Sequence, residues 1–301
     1  MLTVTILGNN SAVPAFNRHP TSQVVTQDGT NYLVDCGEGT QIQMIKYKVR
    51  RGKISHIFIS HLHGDHYYGL IGLLNTFGLL SHLQELHVFA PAPLQEIIEL
   101  QLKVAETHLP YALHFHTISG NATLVDNEQI TIKCFRTDHR IPTYGFTFEE
   151  KTRKRKLLIE KVREQEIPVT FYSSLQEGLD YTKPDGTVVY NADITTTPAP
   201  GNKYAFCADT RYDERIIEHI RGFDLIYHET TYLDNLQEQA FARFHSTTRQ
   251  AGTIALKAGV KRLLIGHFSS KYNELEPFLE ETKSVFANTS LAMEGQTYEI
   301  S

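Results

Sequence analysis

Ser60-His61-Leu62-His63-Gly64-Asp65-His66 sets four metal-capable side chains almost side by side. A solvated turn has no need of that density, and the stretch reads as half of a two-metal site. The residues before it, Ile54 to Ser60 (ISHIFIS), are apolar and β-branched, as a buried strand requires. Those after it, Tyr68 to Leu80 (YGLIGLLNTFGLL), are apolar in a pattern suited to a helix packed beneath. The cluster therefore falls on a strand-to-helix connection, where α/β proteins hold chemistry on loops fixed by a rigid scaffold. A histidine-rich surface turn is the plain alternative, and the buried character of both flanks speaks against it.

Imidazole and carboxylate together suit zinc, with manganese and iron sharing the same ligand types. Two ions need more donors than this motif holds. Three more follow strand-like runs: His139 after Ile130 to Phe135, Asp209 after Tyr204 to Cys207, and His267 after Arg262 to Gly266. Each alone reads as readily as a turn or a helix cap.

Taken in order, His-x-His-x-Asp-His followed by His, Asp and His resembles the metallo-β-lactamase superfamily. Within it the chain is most similar to the ribonuclease Z family, which trims the 3′ end of transfer-RNA precursors. The likeness rests on Leu7 to Pro14 (LGNNSAVP) with Asn17-Arg18 and Ser22-Gln23, on Leu33 to Gln41 (LVDCGEGTQ), and on His66 to Leu74 (HYYGLIGLL). It continues through Cys207 to Arg211 (CADTR), His228 to Tyr232 (HETTY), His245-Ser246-Thr247, and Gly266 to Tyr272 (GHFSSKY). The resemblance implies an α/β four-layer αββα sandwich with an inserted arm, and two zinc ions. One ion would take His61, His63 and His139, the other Asp65, His66 and His267, with Asp209 between them. It further implies hydrolysis just 3′ of the discriminator nucleotide of precursor tRNA, leaving a tRNA 3′-hydroxyl and a 5′-phosphate trailer, by a homodimer. Asp65 would also orient the attacking water, and His245 paired with Glu229 would protonate the leaving oxygen. His228 reads as a buried histidine beside the site. Arg18 and the segment Ser270, Lys271 and Tyr272 are the expected substrate contacts.

A chain of 301 residues with 41% hydrophobic content can bury a large core. We read one domain over residues 1–301 with an arm inserted at 149–177. Strand-like runs at Thr3–Leu7, Gln23–Thr26, Tyr32–Asp35, Ile54–Ile59, Leu86–Phe89, Leu113–Thr117 and Ile130–Thr137 are followed by a second series at Tyr204–Ala208, Leu225–His228 and Arg262–Ile265. Helical patterns at Thr40–Val49, Pro93–Glu106, Glu214–Ile220, Thr247–Ala258 and Glu274–Val285 lie between them, giving an α/β alternation in two halves.

Cys36, Cys134 and Cys207 are widely spaced and odd in number, so a reducing, cytoplasmic setting is expected. Met1 to Gly8 carries neither a basic region nor a cleavage site, and no apolar run suits a bilayer, so neither secretion nor membrane anchoring is expected. A net charge of −5 argues against nucleic acid only at first sight, because phosphate binding depends on where cations sit. Lys151, Arg153, Lys154, Arg155 and Lys156 cluster at the start of the expected arm; a solvated charge run is the alternative. The arm has Pro168 without the family's glycine-proline step, and Lys271 stands where the family often has arginine, a point charge in place of a fork.

Three rivals differ from the leading reading in identifiable ways. A small-substrate hydrolase of the same fold needs neither a basic arm nor the His245 and Glu229 pair. A non-catalytic RNA binder would not keep all seven donors. Redox chemistry on this fold calls for an added flavin-binding domain, and none is evident.

Overall fold

The computed structural model describes residues 1–80 and 85–301. Its main strands are β1 (Leu2–Gly8), β2 (Ser22–Gln27), β3 (Thr30–Val34), β4 (Ile54–Phe58), β5 (Leu86–Ala90), β6 (Leu113–Thr117), β7 (Ala122–Asp126), β8 (Ile130–Arg136), β9 (Tyr144–Glu150), β10 (Lys203–Cys207), β11 (Leu225–Glu229), β12 (Arg262–Gly266), β13 (Thr289–Leu291) and β14 (Thr297–Ile300). They form two seven-stranded sheets, ordered β14-β1-β2-β3-β4-β5-β6 and β13-β12-β11-β10-β9-β8-β7.

Strand periodicity explains the layering. Ile57 of β4 and Ile59 just beyond it point to one face, where Leu70, Leu73, Leu74 and Phe77 of the helix Leu70–Leu79 cover them. Phe58 points to the other face and meets Phe146 and Phe148 of β9, with ring centroids 5.4 and 5.8 Å apart. Behind the second sheet, Ile254, Ala255 and Ala258 of the helix Thr248–Ala258 pack with Ile226, Leu263 and Ile265. The result is helix, sheet, sheet, helix, the sandwich that the sequence implies. Among the described residues, no helix is long and apolar enough to cross a membrane.

Each sheet is parallel from its middle strand out to one edge: β3 to β6 in one, β10 to β13 in the other. Carboxyl ends of neighbouring strands therefore lie side by side, and the residues just beyond them are the ones that can converge. Asp35 follows β3, His61 follows β4, Asp209 follows β10 and His267 follows β12, while Glu229 ends β11.

The chain divides into two compact units, the first Met1–Asp126, Thr131–Glu149 and Asn202–Ser301, the second Asn127–Ile130 with Glu150–Gly201. The second unit has its own small core of Val162, Ile167, Leu175, Val189 and Ile194. Lys156–Leu157 pairs with Thr195–Thr196, and Tyr181–Thr182 with Val188–Val189. The stretch 149–177 does not close this core by itself, since Val189 and Ile194 lie beyond it. The Asn191 amide donates to the carbonyls of Leu175 and Leu179 at 2.7 and 3.1 Å and ties the later residues to the earlier helix.

His56, His87 and His114 stand in register on β4, β5 and β6 and stack at 5.1 and 5.0 Å. Burial first, then the neighbouring His87 and His116, pushes the His56 imidazole down to about 4. A depressed histidine pKa means that the unfolded chain binds the proton more readily than the folded one between the two values. Its contribution to stability is therefore present above about pH 6.5, the ordinary histidine value, and lost as pH falls toward 4. Melting temperature measured across pH 4 to 7 should fall less steeply in His56→Phe than in the unaltered chain; parallel curves would contradict this.

Candidate metal centre

The site begins with a buried carboxylate. Asp35, at φ 55°, accepts hydrogen bonds from the Ser60 amide at 2.7 Å, the Ser60 hydroxyl at 2.9 Å and His66 Nδ1 at 2.7 Å. Burial raises the Asp35 pKa above the ordinary carboxylate value, and His66 and the Ser60 donors oppose that rise without cancelling it. Because the single Ser60 proton goes to Asp35, Ser60 Oγ is left to accept from His61 Nδ1 at 3.0 Å. His61 and His66 are thus both protonated on Nδ1, and their Nε2 atoms face inward.

The same logic fixes two more rings. His139 Nδ1 lies 2.9 Å from the carbonyl of Phe244, an acceptor only, so its Nε2 carries the lone pair. Thr231 donates its hydroxyl proton to Glu229 at 2.8 Å and accepts from His267 Nδ1 at 3.0 Å, again leaving Nε2 inward. His63 presents the other nitrogen: its Nδ1 lies 3.0 Å from His61 Nε2 and 3.1 Å from His139 Nε2.

His61, His63, His139 and Asp209 each offer a donor atom, all within 4.8 Å of one another. Asp65, His66 and His267 form a second such group, and Asp209, His245 and His267 a third. Asp209 Oδ2 lies 3.6 Å from His61 Nε2 and 3.5 Å from His66 Nε2, and its Oδ1 3.3 Å from His267 Nε2, so this one carboxylate touches both triads. Asp65 Oδ2 sits 3.6 and 3.5 Å from His66 and His267 Nε2 and accepts the Ala12 amide at 2.8 Å.

A divalent cation fits this donor set on two grounds. His66 Nε2 and His267 Nε2 are buried without any hydrogen-bond partner, although carboxylate oxygens lie 3.3 to 3.6 Å away. The charge balance of the cluster points the same way. Burial, then His66, holds His61 well below the ordinary imidazole value, and burial, then His139, takes His63 down to about 4. Burial acts the same way on His66, but Asp209, Asp35 and Asp65 outweigh it and raise that ring well above its ordinary value. A proton held between three carboxylates marks where a bound cation would compensate charge.

Beside the cluster, Glu229 accepts the amides of Thr210, Thr231 and Ser246 at 3.1, 2.9 and 3.0 Å and binds His245 Nδ1 at 3.0 Å. Burial works against a charge on His245, yet Glu229, then Asp209 and Asp65, push its pKa up to about 9. The ring is 14% exposed, so it is reachable from outside. His228 is buried and turned away, its Nδ1 donating to the Glu229 carbonyl at 2.7 Å.

The remaining sequence candidates fall elsewhere. Arg18 is only 9% exposed: its Nε donates to Asn10 Oδ1 at 3.0 Å, and its Nη atoms to the carbonyls of Asn273 and Tyr272. It staples the first loop to the loop after β12 rather than standing open to a substrate. Tyr272 is half-buried, its ring packed edge-on against Phe278 at 4.9 Å, as is Ser270, while Lys271 is exposed. In the second unit Lys151, Arg153, Lys154 and Lys156 are exposed, whereas Arg155 donates to Thr195 and Thr197 at 2.7 and 3.1 Å. Sequence reasoning passed over Asp35, Ser60 and Thr231 as the groups that orient the rings. An acid at a strand end before the glycines of Leu33–Gln41 was the available signal for the first.

Comparison with known proteins agrees with this geometry. A family model described as "Anti-Pycsar protein Apyc1" matches residues 2–160. The ribonuclease Z of Porphyromonas gingivalis is 41% identical over 97% of this chain and 97% of its own length. That of Phocaeicola vulgatus is 42% identical over 97% and 95%, and that of a Nostoc species 36% identical over 99% and 95%. Among solved structures, the short form of human tRNase Z superposes with a TM-score of 0.73 at 26% identity, covering 99% of both chains. The metallo-β-lactamase fold protein YhfI from Bacillus subtilis gives a TM-score of 0.71 at 19% identity over 99% of this chain and 98% of its own, a likeness of fold. Full-length identity at this level, on a chain whose buried donors converge as described, places the protein in the ribonuclease Z family.

Proposed function

We propose that this chain is a metal-dependent endoribonuclease that hydrolyses precursor tRNA just 3′ of the discriminator nucleotide, leaving a tRNA 3′-hydroxyl and a 5′-phosphate trailer. The observation that carries the reading is the His245 and Glu229 pair, a protonated imidazole at the rim of a cation-binding cluster. Relatives named ribonuclease Z along nearly the whole chain support the substrate class.

His61, His63 and His139 would hold one ion, Asp65, His66 and His267 a second, and Asp209 would be shared. Zinc suits this mixture of imidazole and carboxylate, with manganese and iron served by the same donors. When bound, such ions supply Lewis acidity that polarises a phosphoryl group and makes water a nucleophile near neutral pH. The chain's own residues do the rest. Asp65, fixed by the Ala12 amide, orients the attacking water. His245, held by Glu229 through Nδ1, offers the proton on Nε2 to the departing 3′-oxygen.

The exposed lysines and arginine of the second unit, Lys151, Arg153, Lys154 and Lys156, form the proposed exosite on the 149–177 arm and would grip the tRNA body. Lys271 adds an exposed cation beyond β12, and Ser270 and Tyr272 shape the loop around it. Arg18 supports this reading as the staple under that loop. A cytoplasmic homodimer is the form we propose; Cys36, Cys134 and Cys207 are free and buried, in keeping with a reducing compartment.

Asp35→Asn removes the carboxylate that sets the His66 and Ser60 orientation, so zinc affinity measured against a chelator should drop about 10- to 100-fold while the fold persists by circular dichroism. His245→Ala should keep its metal and lose about 10²- to 10⁴-fold in rate. The unaltered enzyme should lose rate as pH rises past about 9, where His245 sheds its proton, and the variant should lack that limb. Full activity in the variant would sink the assignment. Finally, metal-loaded protein should cut a 3′-extended precursor tRNA next to the discriminator, and His63→Ala should abolish the cut. The double variant Lys154→Ala/Lys156→Ala should weaken precursor binding and lower its salt slope by about 1 to 2. Brisk hydrolysis of a simple phosphodiester with no tRNA cleavage would instead favour the small-substrate reading.

A further inference from the structure

A second group of imidazoles stands on one face of β5 and β6 and uses none of the seven donors of the cluster. The period of two in β6, Leu113-His114-Phe115-His116-Thr117, turns His114 and His116 to the same side, and the parallel register sets His87 of β5 opposite His114. His114 and His116 are exposed and His87 is half-buried, so solvent reaches all three. His87 Nδ1 lies 3.0 Å from His116 Nε2. Two nitrogens of a tetrahedral zinc site would stand roughly 3.3 Å apart, so this pair needs to open by only about 0.3 Å to hold an ion between them.

Stacking fixes both rings in that orientation. His116 lies on Phe89 at 4.4 Å and 16°, and His87 is flanked by His56 and His114 at 5.1 and 5.0 Å. Phe89 in turn stacks on the fully buried Phe58, which anchors the array in the core. On the far side of His87, Glu85 places Oε2 3.9 Å from His87 Nε2 and 3.7 Å from His114 Nε2. A histidine that binds metal through one nitrogen gives the proton of the other to a carboxylate or carbonyl. Glu85 stands where that acceptor belongs, and its 69% exposure leaves it free to rotate closer. A plain hydrogen bond between His87 and His116 would explain their 3.0 Å contact but calls for no carboxylate behind the second nitrogen.

We propose that His87 Nδ1 and His116 Nε2 bind one divalent transition-metal ion, zinc by ligand type, at an auxiliary site on the face of β5 and β6. Glu85 is its positioning residue, accepting from His87 Nε2–H, and water fills the remaining positions. Imidazoles select such an ion over magnesium and calcium, which take oxygen ligands. With fewer protein donors than the cluster offers either of its ions, the site binds more weakly and fills last. Nothing in it depends on the ribonuclease reading.

The experiment uses the full chain already loaded with zinc at its cluster, titrated with further zinc by calorimetry and equilibrium dialysis. One more ion per chain should bind, and excess magnesium should not displace it. His116→Ala and Glu85→Gln change exposed side chains and leave the core intact. The first should weaken the additional ion by about tenfold or more and the second by about tenfold, with the cluster's zinc content unchanged in both. Histidine ¹⁵N–¹H spectra should show the additional zinc shifting His87 Nδ1 and His116 Nε2 while His87 Nε2 keeps its proton. Saturation with no further ion, an additional ion held equally well by His116→Ala, or coordination through His87 Nε2 would each overturn the proposal. Equal affinity in Glu85→Gln would overturn the role given to Glu85.

Discussion

The structure depends on a buried carboxylate that has been made indispensable. Asp35 lies at the end of β3 with no exposure, and only the amide and hydroxyl of Ser60 and the ring of His66 make its burial tolerable. Those partners belong to the neighbouring parallel strand and the loop beyond it. One side chain thus joins two strand ends and sets the rotation of two imidazoles. An unpaired buried charge costs several kcal/mol, so the His61 to His66 loop can leave this geometry only at substantial cost. Pre-organisation of the donor cluster is therefore a property of the fold and not of the ion it would hold.

Further strain is visible where the other donors arrive. His267 and Phe244 adopt left-handed backbone conformations, at φ 60° and 61°, as does Ala12 at φ 64°. None is glycine, and such residues hold that conformation only when the surroundings enforce it. Each has a task that explains the enforcement: His267 delivers a nitrogen, the Phe244 carbonyl fixes His139, and the Ala12 amide fixes Asp65. Glu229 plays for the second sheet the part that Asp35 plays for the first. It collects three backbone amides, a threonine hydroxyl and His245, so the acid and the His267 ring share one anchoring network through Thr231.

The sequence was most legible where function forces unusual chemistry. His61, His63, Asp65, His66, His139, Asp209 and His267 were all named from motif order, and the folded chain gathers their donor atoms into one place. Strands whose apolar residues are buried on both faces, such as β4 and β12, were found within a residue or two. Less legible were β7, β9, β13 and β14. β9 reads Tyr-Gly-Phe-Thr-Phe-Glu-Glu, and its alternation is a fair strand signal, but Gly145 weakens the pattern and is needed there because a Cβ would come within 2.3 Å of the Phe135 ring. Of the second unit, the sequence shows an arm at 149–177 but not the residues beyond it that complete the core. Its core residues are scattered singly through a polar stretch, so composition shows only the polar surface and not the few apolar contacts that close it.

Arginine and lysine divide the remaining work by chemistry rather than by number. Arg18, Arg155 and Arg211 each spread several donors over carbonyls, hydroxyls or aromatic faces, and each binds segments of its own unit together. Lysine cannot make such a fork, and Lys154, Lys156 and Lys271 stay exposed. A count of basic residues therefore overstates what is open to an anionic partner at some positions and misplaces it at others. That is why a chain of net charge −5 can still present cations to RNA.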